Sequence, residues 1–108
     1  MERVRPEETP AGWRLVAAAP AAPGARLVVL DGRPRRRPGR HTLQIGERRH
    51  LAATGDDPAV RRRRHPWHVA NHACRPTARV RGRALVALVA LAPGDEVTLD
   101  YDATEWEI

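Results

Sequence analysis

Apolar positions in this chain come in short runs with the two-residue period of strands, not the longer period of an amphipathic helix. Trp13 to Ala18 is one such run, and Arg26 to Leu30 is a second, β-branched one; Pro20, Pro23 and Gly24 punctuate the turn between them. His41 to Ile45 and His50 to Ala53 predict two strands with Gly46 and Glu47 at the turn, and Ala78 to Arg81 a further short one. From Glu96 to Tyr101 the alternation is clean. Val97, Leu99 and Tyr101 share one face, and Glu96, Thr98 and Asp100 share the other. Arg83 to Leu91 is apolar on both faces, so period alone does not separate a buried strand from a buried helix; Gly82 and Pro93-Gly94 bound a length typical of a strand. Residues 1–11, charged and holding Pro6 and Pro10, predict a flexible lead-in. Asp31 to Arg40 reads as a basic loop, and Asp56 to Pro66 as a loop or one short helix. No internal repeat is read along the chain. About seven short strands with little helix define a mainly β fold, a single domain over residues 12–108 behind the lead-in.

Length and composition narrow the function. At 108 residues the chain has room for one small core and excludes most multi-domain enzymes. All 19 basic residues are arginine, there is no lysine or phenylalanine, and the formal net charge is +6. Six acidic residues fall in the last 14 positions with no arginine among them, so a basic body ends in an acidic tail. The runs Arg33 to Arg40 and Arg61 to Arg64 suit a phosphate-bearing partner, yet no tyrosine or phenylalanine is interleaved to stack bases. Nucleic-acid binding is therefore read as a secondary property. Cys74, the only cysteine, reads as a small buried residue and not as a nucleophile. His65, His68, His72 and Cys74 fit no standard zinc spacing, so no metal is expected. No apolar run follows Met1 to Glu8, and Ala84 to Ala92 is too short to span a bilayer. The expectation is a cytoplasmic protein that does not enter membranes.

Two segments carry the candidate chemistry. The first is Asn71-His72-Ala73-Cys74-Arg75-Pro76-Thr77; the second is Pro93-Gly94-Asp95-Glu96-Val97-Thr98-Leu99-Asp100-Tyr101. Together they resemble the paired C-terminal motifs of the SET domain family, S-adenosylmethionine-dependent protein-lysine methyltransferases. The family pattern is Asn-His-x-Cys-x-Pro-Asn, a hydrophobic strand, then Gly-x-Glu-φ-x-x-Asp-Tyr, where φ is apolar. The chain departs from it only at Thr77, which replaces the last asparagine. Gly12-Trp13-Arg14-Leu15-Val16-Ala17 with Pro23-Gly24 is similar to the family's opening Gly-x-Gly-φ-φ-Ala strand and turn, with Arg14 in place of the second glycine. With a single cysteine, the likeness is to a minimal form lacking the cysteine-rich segment that many members carry after the Asp-Tyr strand.

The resemblance implies several small curved sheets with a C-terminal pseudoknot, in which the Asn-His and Asp-Tyr segments become neighbours. It implies S-adenosylmethionine as cofactor, with Asn71 and His72 at the cofactor and Gly12 and Trp13 as further contributors. It implies a lysine-bearing protein or peptide as substrate and Tyr101 as the catalytic hydroxyl. Trp106, Asp102 and Glu105 are the expected substrate contacts, because an acidic end attracts a lysine that the basic body repels. Methyl transfer from a sulfonium needs no metal, only an in-line approach of a neutral amine in a dry site. Asp100 and Asp102 flank Tyr101, and their charge disfavours a phenolate, so Tyr101 reads as a neutral hydroxyl that orients the amine. Two alternatives stand beside this reading: a non-catalytic cofactor-binding or protein-interaction module on the same fold, and a small Arg-rich nucleic-acid-binding protein.

Overall fold

The structure, a computed structural model, describes residues 3–39, 42–46 and 48–100. It is mainly β, with several small sheets and little helix. In chain order the strands are β1 (Val4–Thr9), β2 (Gly12–Ala17), β3 (Arg26–Val29), β4 (Arg33–Arg35), β5 (Thr42–Gly46), β6 (Arg49–Ala52), β7 (Asn71–His72), β8 (Ala78–Arg81), β9 (Ala84–Ala87) and β10 (Glu96–Leu99). Helix α1 (Pro58–Arg64) and a 3₁₀ turn (Pro66–Val69) lie between β6 and β7. The strands form three sheets, ordered β1-β2-β10-β7, β3-β9-β8 and β4-β6-β5. No helix among the described residues is long and apolar enough to cross a membrane.

Two expectations are corrected by edge strands. Residues 4–9, expected within a flexible lead-in, pair antiparallel with β2 from Val4↔Ala17 to Thr9↔Gly12. Within the expected basic loop, Arg33–Arg35 pairs with β6. Each strand carries a proline, Pro6 or Pro34, and each lies at the edge of its sheet, where a missing N–H leaves no ladder bond unmade. Of the ambiguous apolar run, Ala84–Ala87 forms β9, buried on both faces as the central strand of its sheet, while Leu88 and Val89 lie past its end and are exposed.

The fold also corrects the reading of no internal repeat. Leu15-Val16-Ala17 and Ala22-Pro23-Gly24 recur as Leu85-Val86-Ala87 and Ala92-Pro93-Gly94. Each Pro-Gly pair makes the same turn, closed by Ala25 N–H to Ala22 O and by Asp95 N–H to Ala92 O, both 3.0 Å, with Gly24 and Gly94 at positive φ. The two copies embrace. Gly24 N–H donates to Ala87 O (2.7 Å) while Gly94 N–H donates to Ala17 O (2.8 Å). Ala17 N–H donates to Asp95 O and Ala87 N–H to Ala25 O, both 2.8 Å, and Ala21 and Leu91 exchange two bonds at the centre. Strand pairing obeys the same exchange: Glu96 opposes Val16 and Arg26 opposes Val86. The molecule is thus built on a pseudo-two-fold clasp, and Leu15 and Leu85, both fully buried, fill equivalent places in its core.

Asp31, between β3 and β4, fastens the segment that follows α1. Its Oδ1 accepts hydrogen bonds from His65 Nδ1 (2.8 Å) and from the indole N–H of the fully buried Trp67 (3.0 Å). Thr54 Oγ1 lies 2.9 Å from the other ring nitrogen of His65. Burial raises the Asp31 carboxyl, but the His65 and Trp67 hydrogen bonds and the His65 charge outweigh it and hold it below its ordinary range. Next to Asp31 the backbone passes too close for any side chain. Gly32 has φ +132°, and a Cβ there would stand 2.6 Å from the Ala52 carbonyl oxygen.

Candidate functional site

The second copy of the clasp differs from the first in having an extra strand on its outer edge. β10 lies between β2 and β7 and pairs with β7 in parallel, Thr98↔Asn71 and Leu99↔His72. Ala73 N–H continues the ladder to Leu99 O at 2.9 Å. Just beyond β7, Thr77 and Thr98 lock the two segments reciprocally. Thr77 N–H donates to Thr98 Oγ1 (3.1 Å), Thr98 N–H donates to Thr77 Oγ1 (3.0 Å), and the Thr77 hydroxyl donates to Glu96 O (2.9 Å). Thr98, placed by alternation on a polar face, is in fact buried, because β10 is covered on both sides. Thr77 is the one departure in the motif, and this hydroxyl-for-hydroxyl pairing is what the departure does.

Asn71 ties the Asn-His segment to the opening strand. Its Nδ2 donates to Trp13 O (3.3 Å) and to Glu96 Oε2 (3.1 Å). His72 Nδ1 lies 3.8 Å from Asp100 Oδ1, an ion pair when the ring is protonated. Asn71 and His72 are exposed, as is Gly12, whose φ is +120° with open space where a side chain would stand. The Asn71 side chain therefore joins the Trp13 backbone to the Glu96 carboxylate and His72 stands near Asp100, whereas the Trp13 side chain points to the opposite face of the sheet, that of Leu15 and Val97. Tyr101, Asp102, Glu105 and Trp106 lie outside the described residues; the chain reaches Asp100 one position before Tyr101.

Two side chains that sequence reasoning did not assign flank β2, one on each face. The Arg62 guanidinium stacks 3.8 Å from the centre of the Trp13 ring, so that ring meets a cation supplied by the chain itself. Arg14, at the second glycine position, turns toward β1. It donates to Glu7 from Nε at 2.7 Å and also from Nη2, and Arg5 donates to the same carboxylate. These bonds, Arg14 foremost, hold the Glu7 carboxyl below its usual range against desolvation. The strand register could have located Arg14, since Glu7 faces it directly; the Arg62 contact depends on how α1 docks and has no local signal.

Cys74 is exposed, which corrects its reading as a buried residue: it sits in the turn after β7, where the chain leaves the ladder. Trp67 belongs to the core. Of the four residues once weighed for metal, His65 has both ring nitrogens engaged by Asp31 and Thr54. Among the described residues no group of three His, Cys, Asp or Glu is arranged to hold a metal ion. No family model matches the chain, and no curated protein matches it.

Proposed function

We propose that the chain is a minimal SET-type methyltransferase that uses S-adenosylmethionine to methylate a lysine amine of a protein. The observation that carries this reading is the parallel pairing of β7 with β10, which sets Asn71 and His72 beside the strand leading into Asp100 and Tyr101, with the Asn71 amide bonded to the Trp13 carbonyl. Bound S-adenosylmethionine supplies an activated methyl group. Asn71, His72, Gly12 and Trp13 hold the cofactor, and Glu96 and Asp100 complement its positive charge. A lysine amine with an ordinary pKa of about 10.4 must lose its proton before it can attack. Tyr101 then orients the neutral amine through its hydroxyl, and Asp102, Glu105 and Trp106 draw in the substrate lysine and its flanking chain.

The test is formation of S-adenosylhomocysteine from the cofactor with a library of lysine-containing peptides. The wild-type chain is expected to produce it, and Tyr101→Phe to lose at least tenfold in turnover. Cofactor binding with no product on any peptide would move the chain to the non-catalytic reading.

A further inference from the structure

The arginine runs are not used by the methyl-transfer reading, and the fold gives them a different arrangement from the one their sequence suggests. In α1 the four consecutive arginines point to different places. Arg64 shares a helix face with Val60 and lines one cleft, whereas Arg62 and Arg63 share a face with Ala59 and line the surface at Trp13. The first cleft, of about 680 Å³, is walled by Arg33 and Arg35 of β4 and by Arg64. A second cleft, of about 530 Å³, shares Arg35 and adds Arg36, Arg48 and Arg49. Two adjoining concavities therefore carry six guanidiniums.

Among the described residues little acid lines them. The carboxylates in the two linings are Asp56 and Asp57, and Asp57 is committed to capping α1 by accepting Val60 N–H at 2.9 Å. Among the described residues the arginine ion pairs are those of Arg5 and Arg14 with Glu7, on the other sheet. Like charges kept at this density without internal partners are stabilised by an anion that spans them. No tryptophan, tyrosine or phenylalanine lines either cleft, so the stacking platform of a single-strand binder is missing. A phosphate backbone fits the donor chemistry, since guanidinium forks bind phosphate oxygens in bidentate fashion.

We propose that the β4-β6-β5 sheet, with Arg64 of α1, is a docking surface for the phosphate backbone of a nucleic-acid duplex. This does not depend on the methyltransferase reading. Binding is sequence-independent and steeply salt-dependent.

The experiment is fluorescence anisotropy of the full chain with a labelled DNA duplex of about 20 base pairs, titrated between about 50 and 200 mM salt. Arg35→Gln/Arg49→Gln is compared with Arg81→Gln/Arg83→Gln, which removes the same charge from exposed positions on the β8-β9 hairpin. The expected result is a duplex affinity at least tenfold weaker for the first pair, with the log–log salt slope shallower by about 1.8, and a loss of less than about threefold for the control pair. Equal loss in both pairs would mean a diffuse net-charge effect and overturn the proposal. So would tighter binding to the matching single strand, or binding to anionic phospholipid vesicles with none to the duplex. All four substituted arginines are exposed, so each double variant is expected to keep the wild-type thermal transition.

Discussion

Residues 15–30 and 85–100 trace the same path, strand, Pro-Gly turn and strand, yet only the second copy bears a candidate site. The difference lies at the edge of the outgoing strand. In the first copy that strand is β3, at the edge of its sheet, with Val29 55% exposed. In the second it is β10, covered by β7, with Thr98 9% and Leu99 2% exposed, and β3 carries a register shift between Arg26 and Val28. The position after the strand also diverges. Asp31 in the first copy fastens His65 and Trp67, while Asp100 in the second lies 3.8 Å from His72. A duplicated scaffold thus leaves one outgoing strand at a sheet edge and covers the other.

The strongest way to break this comparison is at the shared core. Leu15→Ala and Leu85→Ala each remove a fully buried side chain and should each cost about 2–5 kcal/mol, equal within about 1 kcal/mol. Urea denaturation gives both values, and a clear inequality would mean that the clasp is symmetric in backbone only. The outgoing strands should then separate. Leu99→Ala is expected to cost about 2–4 kcal/mol and Val29→Ala, exposed on the edge strand β3, less than about 1 kcal/mol.

A smaller effect isolates the lock between the motif segments. Thr98→Val keeps the shape of the side chain but leaves Thr77 N–H without its acceptor, a loss of about 1–2 kcal/mol. Hydrogen exchange should show the opening confined to the amides of β7 and β10. The smallest effect is on pH dependence. Because the Asp31 carboxyl is held below its ordinary range, its contribution is present above the unfolded-state pKa and is lost as pH falls through the lower folded value. As pH falls below about 4 the wild-type urea midpoint should therefore fall more than that of Asp31→Asn. The half-exposed carboxylate keeps this difference small.

Alternation of apolar residues located β2, β3, β6, β8 and β10 within a residue or two, because each buries at least one face. What was not legible depends on sheet position. Pro6 and Pro34 argue against strands unless the strand is known to lie at an edge, and edge position is set by pairing with distant segments. Thr98 looked solvent-facing because its partner, Thr77, belongs to another motif. The repeat did leave a signal, since Leu-Val-Ala precedes Ala-Pro-Gly at the same spacing in both copies, but only six positions carry it. For the candidate site, the paired motifs pointed to the neighbourhood of Asn71 and His72 with β10, while Tyr101 lies outside the described residues. The Arg62 cap on Trp13 and the Arg14 tether to Glu7 arise from tertiary docking, and a linear reading does not reach them.

The central claim, a cofactor site at the β7–β10 junction, is tested most directly by calorimetric titration of the full chain with S-adenosylmethionine, alongside Asn71→Ala/His72→Ala. The account predicts a single site of micromolar affinity in the wild-type chain and none in the variant, with both proteins folded. A folded wild-type chain that takes up no S-adenosylmethionine, or a variant that binds it equally well, would contradict it.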